Sequence, residues 1–157
     1  MLPALLGPPA FNTAFFFQQV NFAAAKGLDH IQIVQFFPLY TAVGILSMLV
    51  FGPALDRLGT RRLLPFHQVP IGLAFLAFAF ASSTLQVGVG FLLLGVTAGA
   101  TATLPNAFWA EYFGTKHLGA IKSMATAIMV LGSALGPGLT GLGLDCMFRV
   151  MLGTDFI

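Results

Sequence analysis

Residues 52–62 read Gly52-Pro53-Ala54-Leu55-Asp56-Arg57-Leu58-Gly59-Thr60-Arg61-Arg62 and differ in character from the sequence on either side. The chain has seven basic and five acidic residues, and four of these twelve lie in the seven positions from Asp56 to Arg62. The 25 residues between His30 and Asp56 carry no charge, and neither do the 48 residues between Arg62 and Glu111. A short charged segment between two long apolar segments is typical of a loop that connects two membrane-spanning helices.

The composition predicts the same class of protein. The 157 residues are 57% hydrophobic and 8% charged, whereas soluble domains carry about 25% charged residues. The mean hydropathy is +0.91. A water-soluble fold would have too little polar side-chain surface, and in lipid the backbone must satisfy its own hydrogen bonds. We therefore predict an all-α polytopic membrane protein.

Five stretches have the roughly 20 apolar residues that a membrane span needs. They cover about residues 2–25, 31–55, 63–83, 85–110 and 123–144. The first stretch lacks a basic leader and a small-residue cleavage site, so we predict a span rather than a signal peptide. Pro38 predicts a kink in the second span. The residues that follow Asp145 are too few for a sixth span.

The positive charges predict the orientation of these spans. The loops at 56–62 and 111–122 fall on one side with five cations, which are Arg57, Arg61, Arg62, Lys116 and Lys122. The other side has Lys26 and Arg149. The positive-inside rule then places both loops in the cytoplasm, and we expect a multi-pass protein of the plasma (cell inner) membrane.

Polar residues inside the apolar spans are the candidates for a solute cavity. They are Asn12, Thr13, Gln18 and Gln19 in the first span, Tyr40 in the second, and Thr101 and Asn106 in the fourth. Two interpretations stay open: contacts that join helices at about 1 kcal/mol for each hydrogen bond, or the lining of a cavity. Trp109 is typical of an interface anchor, and His67 is expected to remain hydrated near the membrane surface.

The sequence offers no support for an enzyme. His30, His67 and His117 are scattered, no metal-ligand cluster exists, and no Gly-rich phosphate loop follows a strand. We therefore predict no catalytic residue, no metal and no cofactor. A nucleic-acid partner is not expected either, because five of the seven cations lie in the two predicted loops.

The charged loop carries a family resemblance. The pattern Gly52-x-x-x-Asp56-Arg57-x-Gly59-x-Arg61-Arg62 resembles the signature loop of the major facilitator superfamily, which lies between the second and third helices of each six-helix half. The loop 111–122, which leads into a Gly-rich span, resembles the connection between the fourth and fifth helices. The sequence around residues 112–114 and 132–145 is most similar to a C-terminal half, in the monocarboxylate and oxalate/formate porter branch.

This resemblance implies a fold and a function. The fold is five transmembrane helices of a six-helix half, so we expect a fragment that lacks the N-terminal half and the last helix. The function is part of a secondary active transporter that moves a small-molecule substrate by alternating access, with the missing half as its partner. The alternative is a small non-transporting membrane subunit that packs on a partner protein. None of the five predicted spans contains Lys or Arg, which predicts an uncharged cavity and argues against an anionic substrate.

The resemblance also implies roles for the candidate residues. The first and fourth helices of a half line the central cavity, which favours that role for the polar residues named above. The residues of the implied cytoplasmic gating loop are Gly52, Asp56, Arg57, Gly59, Arg61, Arg62 and Glu111. The resemblance implies that this loop acts as a latch on the cytoplasmic face. In the latch, Asp56 meets the start of the fifth helix, and Arg57 or Arg61 pairs with Glu111. The alternative is a static loop whose charges only set the topology.

Overall fold

The computed structural model describes the backbone of residues 2–114 and 116–152 and the side chains of residues 7–114 and 116–143. Thr115, in the second predicted loop, and the side chain of Arg149 lie outside these ranges. Within them the chain forms seven α-helices. These are α1 (Leu2–Lys26), α2 (His30–Val34), α3 (Phe37–Leu58), α4 (Thr60–Leu63), α5 (Val69–Ala79), α6 (Thr84–Phe113) and α7 (Leu118–Leu152).

The second predicted span consists of two helices. The short α2 ends at Val34, and α3 begins at Phe37. Pro38 lies in the first turn of α3, where its missing N–H group costs no helical hydrogen bond. The backbone therefore breaks just before Pro38, where the sequence predicted a kink.

The third predicted span is helical over a shorter stretch than 63–83. Residues 64–68 form turns, and α5 starts only at Val69. Pro65 lies within these turns, and it cannot donate a backbone hydrogen bond to a helix. His67, which we expected to be hydrated, is 2% exposed, and its Nδ1 lies 2.6 Å from the carbonyl oxygen of Leu64.

The helices α6 and α7 extend beyond the fourth and fifth predicted spans. The helix α6 ends at Phe113, and α7 begins at Leu118. As a result, Glu111 and Lys122, which we predicted in a loop, lie inside helices. Their side chains consequently have positions that are fixed by the helix backbone.

In each of two sets, the helices pack closely against each other along their lengths. The helix α1 packs along α7, and α6 packs against both α3 and α5. At the α3–α6 crossing, the hydroxyl of Ser47 donates to the carbonyl oxygen of Val96 at 3.0 Å. A Cβ atom built on Gly99 would lie 2.6 Å from the carbonyl oxygen of Gly44. Gly52, which also lies in α3, has no such neighbour within 4 Å.

Three phenylalanine rings join α1, α5 and α6 in the core. The rings of Phe15 and Phe78 stack with centroids 4.2 Å apart, and Phe91 meets Phe15 edge-on at 5.6 Å. All three side chains are buried. Such aromatic pairs add about 0.5–1.5 kcal/mol each beyond the burial of their area. This cluster fixes α5 between α1 and α6.

Among the residues that the structure describes, three helical segments are long and apolar enough to cross a membrane, judged by length and composition. They are His30–Leu58, Thr84–Phe113 and Leu118–Gly143, and Val69–Ala79 is a shorter apolar helix. The all-α prediction is confirmed for the described ranges. Five separate membrane crossings stay a prediction.

Candidate functional site

A cavity of about 440 Å³ lies between α1, α5, α6 and α7. Small-molecule sites have volumes of about 300–1,000 Å³ and combine apolar walls with a few polar groups. The polar side chains that line this cavity are Asn12, Thr97, Thr101, Asn106, Lys122 and Thr126. They come from the first half of α1, from α6 between its middle and its last turns, and from the first turns of α7. The cavity therefore lies at the end of the bundle where α6 connects to α7.

Three of the predicted cavity residues line this space. Asn12 donates from Nδ2 to the hydroxyl of Tyr40 at 3.0 Å, while its Oδ1 is buried with no partner among the described residues. Thr101 likewise has a buried Oγ1 with no described partner. Asn106 donates from Nδ2 to the carbonyl oxygen of Ala102 at 2.8 Å. The cavity wall thus brings together two polar atoms with unused hydrogen-bonding capacity.

The other four predicted residues lie elsewhere. Tyr40 does not line the cavity, but its hydroxyl accepts the hydrogen bond from the side-chain amide of Asn12. Gln18 accepts a hydrogen bond from Asn21 at 2.6 Å and faces a second, more open groove. Thr13 and Gln19 line neither space, and Gln19 has a buried Oε1 with no partner in the described part of the chain.

Lys122 corrects the expectation that the cavity is uncharged. Because α7 begins at Leu118, Lys122 lies in the second turn of this helix and is half-buried at the cavity wall. It is the one residue with a formal charge among the described residues that line the cavity. Its ammonium group forms no ion pair or hydrogen bond with any described group. The absence of Lys and Arg from the predicted spans therefore does not extend to the cavity itself.

Trp109 also lines the cavity, and its indole is half-buried. Its role as an anchor at the membrane interface stays a prediction. Its ring packs against Phe108 and Phe113, with centroids 5.2 and 5.7 Å away. The signal that would have found it is its spacing of three from Asn106, which places both on adjacent turns of one helix face.

The charged loop contacts α6 through an uncharged residue. Gly59 adopts φ +74° between α3 and α4, a conformation that favours glycine. The next residue, Thr60, is 1% exposed, and its hydroxyl donates to Oε2 of Glu111. This hydrogen bond joins the loop to the last turns of α6, at the same end of the bundle as the cavity.

The other charged members of the predicted gating loop make no comparable contacts. All four are exposed, and none forms a hydrogen bond or ion pair with a described side chain; they are Asp56, Arg57, Arg61 and Arg62. The expected pairing of Arg57 or Arg61 with Glu111 is therefore not formed in this structure, in which Glu111 accepts the hydrogen bond of Thr60 instead.

A second groove, of about 910 Å³, lies between α1, α5 and α7. Its walls are mainly apolar, with Phe11, Phe22 and Phe75 among them, and Lys26 lies at one end. Lys26 donates from Nζ to the carbonyl oxygen of Ala79 at 2.6 Å. No group of three or more potential metal ligands occurs among the residues that the structure describes.

Comparison with known proteins identifies the family of this chain. A gallate transporter from Pseudomonas putida is 34% identical over 109 residues, which cover 68% of this chain and 23% of the relative. The chain therefore matches under a quarter of that relative's length. No solved structure gives a significant match. A sequence profile of the Major Facilitator Superfamily matches residues 5–150. The apolar helices fit an integral, multi-pass membrane protein, and the chain belongs to the Major Facilitator Superfamily.

Proposed function

We propose that this chain forms part of a secondary transporter that moves a small solute across a membrane by alternating access. The observation that carries the proposal is the cavity with polar side chains between α1, α5, α6 and α7. Secondary transporters bind their solutes between helices of this kind and alternate the side from which the site is reached. The family and the transporter relative support the same function.

The proposed functional unit contains more than these helices. The matched relative is a much longer protein, and alternating access requires one helical bundle to rock against another. We propose that a second bundle, equivalent to the N-terminal half of a complete transporter, closes the cavity of this chain. The unit is proposed to lie in the plasma membrane, with the charged loop in the cytoplasm, because the cations concentrate there.

The proposed gate is the contact between the charged loop and α6. In this conformation the hydroxyl of Thr60 holds Glu111 beside the cavity end of the bundle. When the helices rearrange, this bond breaks, and the exposed charges around Asp56 are free to pair with other groups. The gate thus needs two alternative sets of contacts, which is what a two-state transporter requires.

The test is solute exchange in cells that express the gene encoding this chain. Radiolabelled gallate is the first solute, followed by other small organic acids and by neutral solutes of similar size. We expect saturable uptake that is accelerated when the cells are preloaded with unlabelled solute, because a carrier returns faster when it is loaded. Absence of saturable uptake for every solute, or uptake that preloading leaves unchanged, would contradict transport by alternating access.

A further inference from the structure

We propose that Lys122 is the anion-binding residue of the cavity, and that the solute is an organic anion with hydroxyl groups on a flat apolar body. This inference rests on the proposed function, because it takes the cavity to be the solute site. It adds the chemical class of the solute and the residues that recognise it.

The first observation that supports this proposal is the positive charge at the cavity wall. Lys122 is half-buried and has no ion pair or hydrogen bond with the described residues, and none of the described lining residues is acidic. A cation in a partly desolvated, mainly apolar site attracts an anion more strongly than a cation in water does. An ammonium group with no protein counter-charge leaves that position for a ligand carboxylate, with which it forms a charge-assisted hydrogen bond.

The second observation is a pair of oxygen atoms without hydrogen-bond partners. Asn12 Oδ1 and Thr101 Oγ1 are buried beside the same cavity with no described partner. A buried polar atom without a partner costs about 1–3 kcal/mol. Because Asn12 Nδ2 is already held by Tyr40, the Oδ1 atom is left to accept from a donor. A solute whose hydroxyl groups reach these two oxygens would supply the hydrogen-bond donors that they lack.

The third observation is the apolar part of the cavity wall. Leu94, Met129 and the indole of Trp109 line the same cavity as the charged and the hydroxyl-accepting groups. An aromatic or other flat apolar body would gain contact area from these side chains, and a ring gains further from the indole face. A solute with polar groups at every position would leave these walls without matching contacts.

The competing explanation is that Lys122 only helps to set the orientation of the chain in the membrane, as a lysine near a helix end commonly does. In that case its charge would have no effect on which solute binds. Lys116 offers the matched control, because it belongs to the same predicted loop, is exposed and does not line the cavity.

The experiment measures binding through Trp109, which is the single tryptophan of the chain and lines the cavity. Three probes are titrated against the purified full chain, with correction for ligand absorbance: gallate, its uncharged methyl ester, and benzoate, which keeps the charge but lacks hydroxyl groups. We expect gallate to quench the fluorescence with a dissociation constant at least about tenfold lower than that of the ester. Benzoate is expected to bind more weakly than gallate.

Substitutions then assign these preferences to residues. Lys122→Met should bring gallate down to the affinity of its ester and leave the ester itself unchanged, which also shows that the variant is folded. Lys122→Arg should keep the preference for the anion, and Lys116→Met should have no effect. Thr101→Val, which removes the hydroxyl and keeps the shape, should narrow the gap between gallate and benzoate.

The inference is overturned if the ester binds as tightly as gallate, if Lys122→Met leaves their ratio unchanged, or if none of the probes binds. These outcomes are separate from the fate of the proposed function. Binding of gallate without uptake would contradict transport and leave the binding site intact. Saturable uptake of a neutral solute by a chain that does not bind gallate would contradict the anion-binding site and leave the proposed transport function intact.

Discussion

The hydrogen bond from Thr60 to Glu111 joins the charged loop to α6. Thr60 is almost fully buried, whereas the four charged residues of the loop are exposed. An exposed ion pair contributes about 0–1 kcal/mol, but a buried hydroxyl group that loses its partner costs about 1–3 kcal/mol. In this conformation a hydroxyl group, rather than an arginine, therefore holds the loop on α6.

Replacement of Thr60 by Val tests this contact. The change keeps the shape of the side chain but removes the donor, so we expect a lower melting temperature in detergent and faster proteolysis within the charged loop. Arg61→Gln is the control, because Arg61 is exposed and has no described partner; it should leave both measurements unchanged. If Arg61→Gln loosened the loop and Thr60→Val did not, the ion-pair latch predicted from the sequence would be the better description.

At the scale of the helices, the crossing of α3 and α6 depends on the absence of a side chain at Gly99. An added Cβ atom would lie 2.6 Å from the carbonyl oxygen of Gly44 and 2.8 Å from the backbone nitrogen of Met48, so the two helices would have to separate. Such overpacking costs about 1–3 kcal/mol. The separation would also move the α6 residues that line the cavity.

We therefore expect Gly99→Ala to lower the melting temperature and to weaken solute binding. Gly72→Ala is the matched control, because Gly72 lies inside α5 and an added Cβ would meet nothing within 4 Å. Alanine is the better helix former by about 0.8–1.0 kcal/mol, so this control should be neutral or stabilising. Equal losses in both variants would show that glycine is not needed for the crossing.

The sequence predicted the presence of the helices better than their ends. Hydropathy falls where a helix leaves the apolar region, but the backbone hydrogen bonds continue, so Glu111 and Lys122 were assigned to a loop although both are helical. Conversely, the apolar run that includes Pro65 was predicted to be helical, although proline interrupts a helix there. Residue hydrophobicity reports the surroundings of a segment, not its backbone conformation.

The candidate site could be predicted only in part, for a related reason. Asn12 and Thr101, which were selected as polar residues in apolar spans, line the cavity. The same criterion also selected Thr13 and Gln19, which line neither of the two spaces, because each face of α1 is covered by a different neighbour and the pattern does not specify which. Thr60 gave no signal at all, because an uncharged residue in a charged loop is not conspicuous.

On the scale of the whole molecule, the two large spaces lie toward opposite ends of the bundle. The cavity is lined mainly by the first half of α1, by α6 from its middle to its last turns and by the first turns of α7. The second groove extends to Ala25 and Lys26, the last residues of α1, and to Ala79 at the end of α5. With the predicted orientation, the cavity is nearer to the cytoplasm, and this end of the groove is nearer to the outside.

This arrangement predicts from which side each space can be labelled. In a background in which the single cysteine is removed by Cys146→Ser, Ala102→Cys places a thiol at an exposed position of the cavity wall. We expect a membrane-impermeant maleimide to label it several-fold faster in inside-out than in right-side-out vesicles, and gallate to slow the labelling. Ala25→Cys, in the second groove, should show the opposite sidedness and no effect of gallate. Faster labelling of Ala102→Cys from the outside would reverse the proposed orientation, and labelling of both positions from one side would contradict the placement of the two spaces at opposite ends.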